Sequence, residues 1–467
     1  MVVRSHRVAI IALVVAFAGG GAAACNSLLG IQGGTPRPAV TQLAAGAAFA
    51  CALLADGTVW CWGADDHLQL GHLDLDADVP CRWAGPDGGH NVGLCSVTPT
   101  QVVGLSGVTQ IAVGADFACA LLGTGEVDCW GANDQGQLGP LDAGEIAYRN
   151  CPTSFFDAAT TRGAIQCTPV PNAIKGLPKA TAITAGTVHA CASTKEGVYC
   201  WGSNNPSILD NPTLGPGPVL TKDVPAALQL TAPLADPPGA YNDNTCALIS
   251  PKSTICWGPN SGYDDGCMHG TTTSVCKLTT TDVASIHLGG NYGCMLGSSG
   301  SLECWGTNNF FIFDTMNVGS QVQTPTLSDY VQTLSLKDEA TASLFDGRSS
   351  HALVVDTVGR LWAWGDNTFG QIGTKPSYST SPCFGGGTGG FCVSGPVGVS
   401  LADGGVVSAI ATGVDFSLAL TSDGTVWAWG ANTEGQLGYL SDGKPCVKLD
   451  AGAEPCNWVP SPIQVPP

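Results

Sequence analysis

Across residues 49–63 the chain reads FACALLADGTVWCWG, two apolar-rich runs on either side of a polar ADGT turn. Alternating residues around a glycine-containing turn predict an antiparallel hairpin, because successive strand side chains point to opposite faces of a sheet. The pattern returns six more times, as ALLGTGEVDCWG, STKEGVYCWG, ALISPKSTICWG, MLGSSGSLECWG, LVVDTVGRLWAWG and LALTSDGTVWAWG. Each copy ends in Trp-Gly, at 62–63, 130–131, 201–202, 257–258, 305–306, 364–365 and 429–430. A self-similar unit with insertions of uneven length is the mark of a repeat architecture, in which each unit buries its apolar face against its neighbours.

Two further short strands flank each hairpin. IAVG at 111–114, ITAG at 183–186, IHLG at 286–289 and IATG at 410–413 end an upstream strand, while TPTQVVGL at 98–105 and TPVPNAIKGL at 168–177 supply a fourth. After most Trp-Gly pairs comes GANDQGQLG (131–139), GDNTFGQIG (365–373), GANTEGQLG (430–438) or the looser GADDHLQLG (63–71). Units three to five lack GQLG, and unit four diverges most, with LQLTAPLADPPGAYNDNTCALI at 228–249. Four short strands in each of seven units predict an all-β, seven-bladed β-propeller. Composition agrees: 63 Gly, 30 Pro and only 12% charged residues suit short strands and turns better than long surface helices.

The whole unit, P-x-x-V…I-x-x-G…C-A-L…D-G-x-V-x-x-W-G-x-N-x-x-G-Q-L-G, resembles the regulator-of-chromosome-condensation repeat over residues 39–467. That resemblance implies a seven-bladed propeller. Eukaryotic members of the family promote guanine-nucleotide exchange on a small GTPase and bind chromatin, and a secreted bacterial member inhibits β-lactamase through a propeller face. Unit one opens at VTQLAAG without a leading P-x-x-V strand, and the chain finishes in VPSPIQV. The expectation is a ring closed by pairing of the N- and C-terminal segments in one blade, so that losing 459–467 leaves an unpaired edge.

The 21 cysteines fall into two sets and a singleton. Hairpin pairs recur at Cys51/Cys61, Cys119/Cys129, Cys191/Cys200, Cys246/Cys256 and Cys294/Cys304. A three-residue loop at Ala55-Asp56-Gly57 sets 51 opposite 61, within disulfide reach if the pair is a non-hydrogen-bonded one. In units six and seven the aligned pairs are Leu353 with Ala363 and Leu418 with Ala428, so both cysteines vanish together, as bonded partners require. The second set, Cys81/Cys95, Cys151/Cys167, Cys267/Cys276, Cys383/Cys392 and Cys446/Cys456, lies between one Trp-Gly signature and the next outer strand. These insertions share one topological position, so they are expected on one face of the disc, each tied by a local bridge. Loops held on a scaffold are where binding concentrates. Hairpins offering two thiols without C-x-x-C spacing do not suit zinc or thiol redox chemistry.

Cys25 is the singleton. MVVRSHR, the apolar run VAIIALVVAFA and the small residues GGGAAA before it have the layout of a secretory signal. Ala22-Ala23-Ala24-Cys25 resembles the bacterial lipobox, with Ala22 where Leu is usual; ordinary cleavage after the A-x-A of 22–24 is the alternative. The expected organisation is a signal peptide at 1–24, a lipid-attachment cysteine and tether at 25–38, and a propeller at 39–467, in a bacterial cell-envelope lipoprotein. Export makes disulfides the default state of paired cysteines.

A net charge of −19 with 18 Lys and Arg in 467 residues excludes a phosphate-tracking nucleic-acid binder. No G-x-S-x-G, H-E-x-x-H or P-loop is present, and His189 and His351 share one repeat position, which reads as structural. Asp74, Asp76 and Asp78 open like a calcium loop, but Val79 and Gly85 stand where its Gly and Glu belong, which disfavours calcium. Asn133, Asn204, Asn260, Asn308, Asn367 and Asn432, with Asp65, recur after Trp-Gly and read as turn residues. The Trp-Gly tryptophans, with Trp60, Trp362 and Trp427, read as strand and core residues. Unit five departs from the pattern with GTNNFFIFDTMNVG, which puts Phe310 and Phe311 on the turn as candidate binding residues. The reading is a monomeric, non-enzymatic scaffold without metal or cofactor, binding an unknown protein or an envelope glycan. A secreted enzyme inhibitor, or an enzyme with a site assembled across blades, is the alternative.

Overall fold

The computed structural model describes residues 38–73, 79–84, 90–139, 149–150, 166–203, 217–222, 239–241, 244–250, 253–257, 276–279, 283–288, 292–306, 332–334, 342–348, 351–377, 391–439, 445–449 and 452–466. The chain divides into Met1–Ala39 and Val40–Pro467, and every described strand lies in the second unit. The described strands form seven antiparallel sheets, each from a consecutive stretch of chain. Sheet 1 runs Val40–Ala45, Phe49–Leu54, Val59–Ala64 and His90–Gln101 from its inner edge outward, and the other six repeat that order. The first strands of successive sheets pack against one another all the way round, Val40–Ala45 touching both Val108–Val113 and Val407–Thr412. Blades diverge outward from an axis, so the strands that meet their neighbours are the innermost.

Ring closure differs from the sequence expectation. The C-terminal strand Gly452–Ile463 pairs with Val426–Ala431 of its own sheet, and Val40–Ala45 pairs with Phe49–Leu54 of its own. Among the described strands, no sheet mixes the two chain ends. The upstream P-x-x-V segment of each repeat is the outer strand of the preceding sheet, so unit one never lacked a strand. Sheets 7 and 1 instead close through the interface used elsewhere in the ring. Val40, Leu43 and Trp62 form one core with Phe416, Leu437 and Ile463. Equivalent cores lie between sheets 1 and 2, 2 and 3, and 6 and 7.

The two signatures of the repeat turn out to be halves of one contact. Trp62, Trp130, Trp201 and Trp429 are fully buried, and each donates its indole N–H to the glutamine carbonyl of the preceding sheet's GQLG-type loop. The acceptors are Gln436 at 3.0 Å, Gln69 at 2.9 Å, Gln137 at 2.8 Å and Gln371 at 2.8 Å. Inside the loop, Asp65, Asn133, Asn367 and Asn432 each accept the N–H five residues on, from Leu70, Leu138, Ile372 and Leu437. Glycine after the tryptophan is required. Gly63 has φ +104°, and a Cβ there would stand 2.5 Å from the Ala48 carbonyl oxygen.

Hairpin bridges join Cys51–Cys61, Cys119–Cys129 and Cys191–Cys200, with Cα atoms 4.1, 4.1 and 4.0 Å apart. These cysteines are fully buried between second and third strands, where Leu353 with Ala363 and Leu418 with Ala428 serve in sheets 6 and 7. In sheets 4 and 5 the main-chain register sets Cys246 opposite Cys256 and Cys294 opposite Cys304, the same place in the hairpin. Cys246 and Cys294 are disulfide-bonded, but the side chains of Cys256 and Cys304 lie outside the described ones, so the expected 246–256 and 294–304 bridges are not among the described disulfides.

Cysteines expected in the loops lie in strands instead: Cys81, Cys95, Cys167, Cys276, Cys392, Cys446 and Cys456. Cys276 opens the outer strand Cys276–Thr279 of sheet 4 and pairs in register with Cys256, which therefore faces a cysteine on both flanking strands. The expected local bridge from Cys276 to Cys267 is not among the described disulfides, since Cys267 and the Cys276 side chain lie outside the described ones. The sequence reading placed Cys276 in an insertion because the KLT run after it is too short to mark where the outer strand begins.

Phe49, Phe117 and Phe416 begin the second strands of sheets 1, 2 and 7, and His189 and His351 take that place in sheets 3 and 6. Each histidine finds a hydroxyl on the following sheet: His189 Nε2 lies 2.8 Å from Thr245 Oγ1, and His351 Nε2 lies 2.9 Å from Ser417 Oγ. Alanine holds that second position opposite the phenylalanines, as Ala118, Ala190 and Ala50.

Candidate functional site

Strands alternate in direction, so the turns between first and second strands and the connections between third and outer strands emerge on the same face. That face is knitted by main-chain bonds running from sheet to sheet: Val414 N–H to Ala47 O at 3.3 Å, Ala47 N–H to Ala115 O at 3.0 Å and Ala115 N–H to Thr187 O at 3.1 Å. It is therefore a rigid platform.

On sheets 7, 1 and 2 the insertions add strands of their own, which the sequence reading treated as loops. His90–Gln101 has 12 residues; its second half pairs with the third strand, while its first half pairs with Val79–Ala84 from Cys95 opposite Val79 to His90 opposite Ala84. Sheet 7 repeats the device with Gly452–Ile463 and Pro445–Leu449, and sheet 2 with Gln166–Ala173 and Arg149–Asn150. The arms of sheets 7 and 1 touch. Among the described strands, Val79–Ala84 and Pro445–Leu449 lie at sheet edges, where an extended segment can add as a further strand. Cys95, Cys167 and Cys456, at the roots of these arms, are disulfide-bonded, as is Cys392.

Titratable groups gather on the same face. The GQLG-type loop, a latch loop for the next sheet's tryptophan, pins its main chain, the N–H groups of His67, Gln135 and Glu434 bonding to the glutamine side chain two residues on, and leaves these positions free to vary. Sheet 1 places Asp66 and His67 there, sheet 2 places Asp134, and sheet 7 places Glu434; Asp116 comes from the adjoining turn of sheet 2. His67 Nδ1 lies 3.3 Å from Asp66 Oδ1. Burial opposes charge on His67, but the Asp66 hydrogen bond and charge, with Asp116 and Asp134 behind them, raise it to about 9. Burial pushes the Glu434 carboxyl up to about 7, helped by the Asp66 charge. Asp116 is also raised, by burial first and then by Asp66 and Asp134, against the pull of His67. At neutral pH the cluster holds one imidazolium among four acids, two of them reluctant to ionise. Such carboxyls gain most from a cation brought in by a partner.

Residues 40–69, 108–137 and 407–436 match one model of the family described as "Regulator of chromosome condensation (RCC1) repeat", and 56–121, 358–420 and 423–467 match a second of the same description. The chain carries RCC1 repeats. The matches fall on sheets 1, 2, 6 and 7, where the latch loop is complete. Among similar proteins, the ultraviolet-B receptor UVR8 of Arabidopsis thaliana is 26% identical over 86% of this chain and 79% of its own length. The human E3 ubiquitin-protein ligase HERC2 is 25% identical over 73% of this chain, which spans 7% of that ligase. In solved structures the fold is shared with yeast RCC1 (Prp20) bound to Kap60, at 17% identity and TM-score 0.62 over 92% of this chain and 85% of that one. Human WBSCR16 aligns at TM-score 0.63 and 18% identity, over 88% and 95%. At these identities the structural likeness concerns the fold alone.

Several sequence-predicted residues lie outside the described ones: Cys25, Phe310, Phe311, Asp74, Asp76, Asp78, and Cys151, Cys267 and Cys383. For Cys81, Cys256, Cys276, Cys304 and Cys446 the strand is described and the side chain is not. The acid and histidine cluster escaped the sequence reading because its members come from three units, at positions the repeat leaves variable. The one available signal was that DDH at 65–67 replaces the usual N-x-x of the latch loop.

Proposed function

We propose that this RCC1-repeat propeller is an exported, lipid-anchored scaffold that binds a protein partner through the arm-bearing face of sheets 7, 1 and 2. The observation that carries this reading is the concentration on one face of three features: strand-paired arms, edge strands and a carboxyl cluster. The partner that fits presents lysine or arginine from an extended segment, its main chain lying along an arm edge and its cations reaching Asp66, Asp134 and Glu434. A net charge of −19 favours the same class of partner through steering. Buried hairpin disulfides support export, since such bonds persist in oxidising compartments. The signal-like segment at 1–24 and Cys25 support a lipid anchor. Yeast Prp20p, of the same fold, is described by its binding to Gsp1p and histones, a role through protein contact.

Panning a random extended-peptide library against the intact chain tests the face. Recovered peptides are expected to be basic and to lose binding to the Asp66→Asn, Asp134→Asn variant; neutral or acidic winners that bind the variant equally would overturn the reading. For the anchor, incorporation of an alkyne fatty acid is expected in the wild type and absent in Cys25→Ser.

A further inference from the structure

The innermost strands carry one position, opposite the first hairpin cysteine or the leucine that replaces it, that packs toward the following sheet. It is small in five sheets, for example Ala44, Ala112 and Ala411, and carries functional groups in sheets 5 and 6, where it is His287 and Asp346. These two meet. His287 Nδ1 lies 3.8 Å from Asp346 Oδ1, and its Nε2 lies 3.2 Å from the hydroxyl of Ser285, two residues back on the same strand. The other Asp346 oxygen accepts the Thr412 main-chain N–H at 2.7 Å and the Thr412 hydroxyl at 3.0 Å, from sheet 7. The histidine and aspartate side chains keep 31% and 26% of their surface in solvent.

A hydroxyl on one imidazole nitrogen, a carboxylate facing the other, and that carboxylate fixed by two donors is the arrangement that activates a serine. Such contacts tighten once substrate excludes water. We propose that Ser285, His287 and Asp346 form a nucleophile, base and orienting carboxylate that act on small uncharged carboxylic esters where the innermost strands of sheets 5 and 6 meet. In the first step Ser285 Oγ bonds to the ester carbonyl carbon while its proton passes to His287 Nε2. The ester C–O bond then breaks, and the departing alkoxide takes that proton to leave as an alcohol. Water attacks the acyl-serine, giving one proton to Nε2; the carboxylic acid departs and Ser285 regains its proton. Burial holds His287 below its ordinary pKa despite Asp346, so the ring is neutral and able to accept a proton at pH 7. An uncharged substrate follows from the part-exposed Asp346 carboxylate and the net charge of −19, which disfavour anions. The proposal goes beyond partner binding and is independent of it, since its groups come from the innermost strands of sheets 5 to 7.

The test uses the full chain with a biotinylated fluorophosphonate, followed by peptide mapping, and with p-nitrophenyl acetate. One adduct is expected on Ser285, absent in Ser285→Ala, with labelling at least 100-fold slower in His287→Gln. Thermal melts check that both variants fold. Since Ser285→Ala removes one oxygen at a part-exposed position, and since mapping the wild type needs no variant, the result is interpretable even if His287→Gln unfolds. No Ser285 adduct in folded wild type, or unchanged labelling in folded His287→Gln, would overturn the proposal and leave these contacts as ties between sheets.

Discussion

The histidine and hydroxyl pair between sheets 6 and 7 makes a quantitative prediction. His351 is fully buried where three other sheets use phenylalanine, and burial drives its pKa to about 3. Its folded pKa lies below the unfolded value near 6.5, so the folded state resists a proton that the unfolded chain takes up. The stability contribution is complete above about pH 6.5 and is lost as pH falls toward 3. At pH 5 the gap is about 1.5 units of titration, equivalent to about 2 kcal/mol at about 1.36 kcal/mol per unit. Replacing the pair by the repeat's apolar solution, His351→Phe with Ser417→Ala, removes this term and leaves His189 as an unchanged background. In urea titrations at pH 7.5 and pH 5, the wild type is expected to lose about 2 kcal/mol more than the double variant on acidification. Ser417→Ala alone strips the His351 ring of its hydroxyl partner and is expected to destabilise by about 1–3 kcal/mol at pH 7.5. Identical acid sensitivity in wild type and double variant would refute the reasoning.

Other perturbations probe the ring and the face. Gly63→Ala forces a Cβ against the Ala48 carbonyl at φ +104° and is expected to lower the melting temperature more than Gly104→Ala, a positive-φ glycine whose Cβ would meet nothing within 4 Å. Cys51→Ala with Cys61→Ala opens a buried ten-residue closure and should cost about 2–3 kcal/mol in a denaturant titration. Trp62→Phe removes the indole bond to Gln436 O at the closing junction, expected to cost about 1–3 kcal/mol and to match Trp130→Phe at an ordinary junction, because closure uses the same contact. Binding of a basic peptide to the face should strengthen between pH 6 and pH 8, read by titration calorimetry, as the Glu434 carboxyl near 7 gives up its proton; Glu434→Gln should flatten that dependence.

Much of the fold was legible because repetition turns one hairpin into seven observations. The joint absence of cysteine at 353 and 363 marked the hairpin bridges, and the Asn-to-Leu spacing in GANDQGQLG marked a self-capped turn. The partner of that turn was not legible. Indole bonds such as Trp130 to Gln69 run between units, 61 residues apart, and no local pattern encodes which sheet receives which tryptophan. Closure was misread for a related reason: the repeat motif, counted from its proline, starts one strand earlier than the sheet does. The site residues escaped because they sit where the repeat is silent. His287 and Asp346 replace alanine in two adjacent units, and Asp66, Asp134 and Glu434 occupy variable places in three. Chemistry assembled across units appears only when the ring is closed.

Site-specific photo-cross-linking in the native cell tests the recognition face most directly. A photoreactive residue at Asp134 reports on the arm-bearing face, and one at Thr124, exposed in a hairpin turn of the same sheet, reports on the opposite one. The account predicts a discrete adduct from position 134, weakened by Asp66→Asn and by high salt, and none from 124. A specific adduct from 124 alone, or one from 134 indifferent to both charge perturbations, would contradict it.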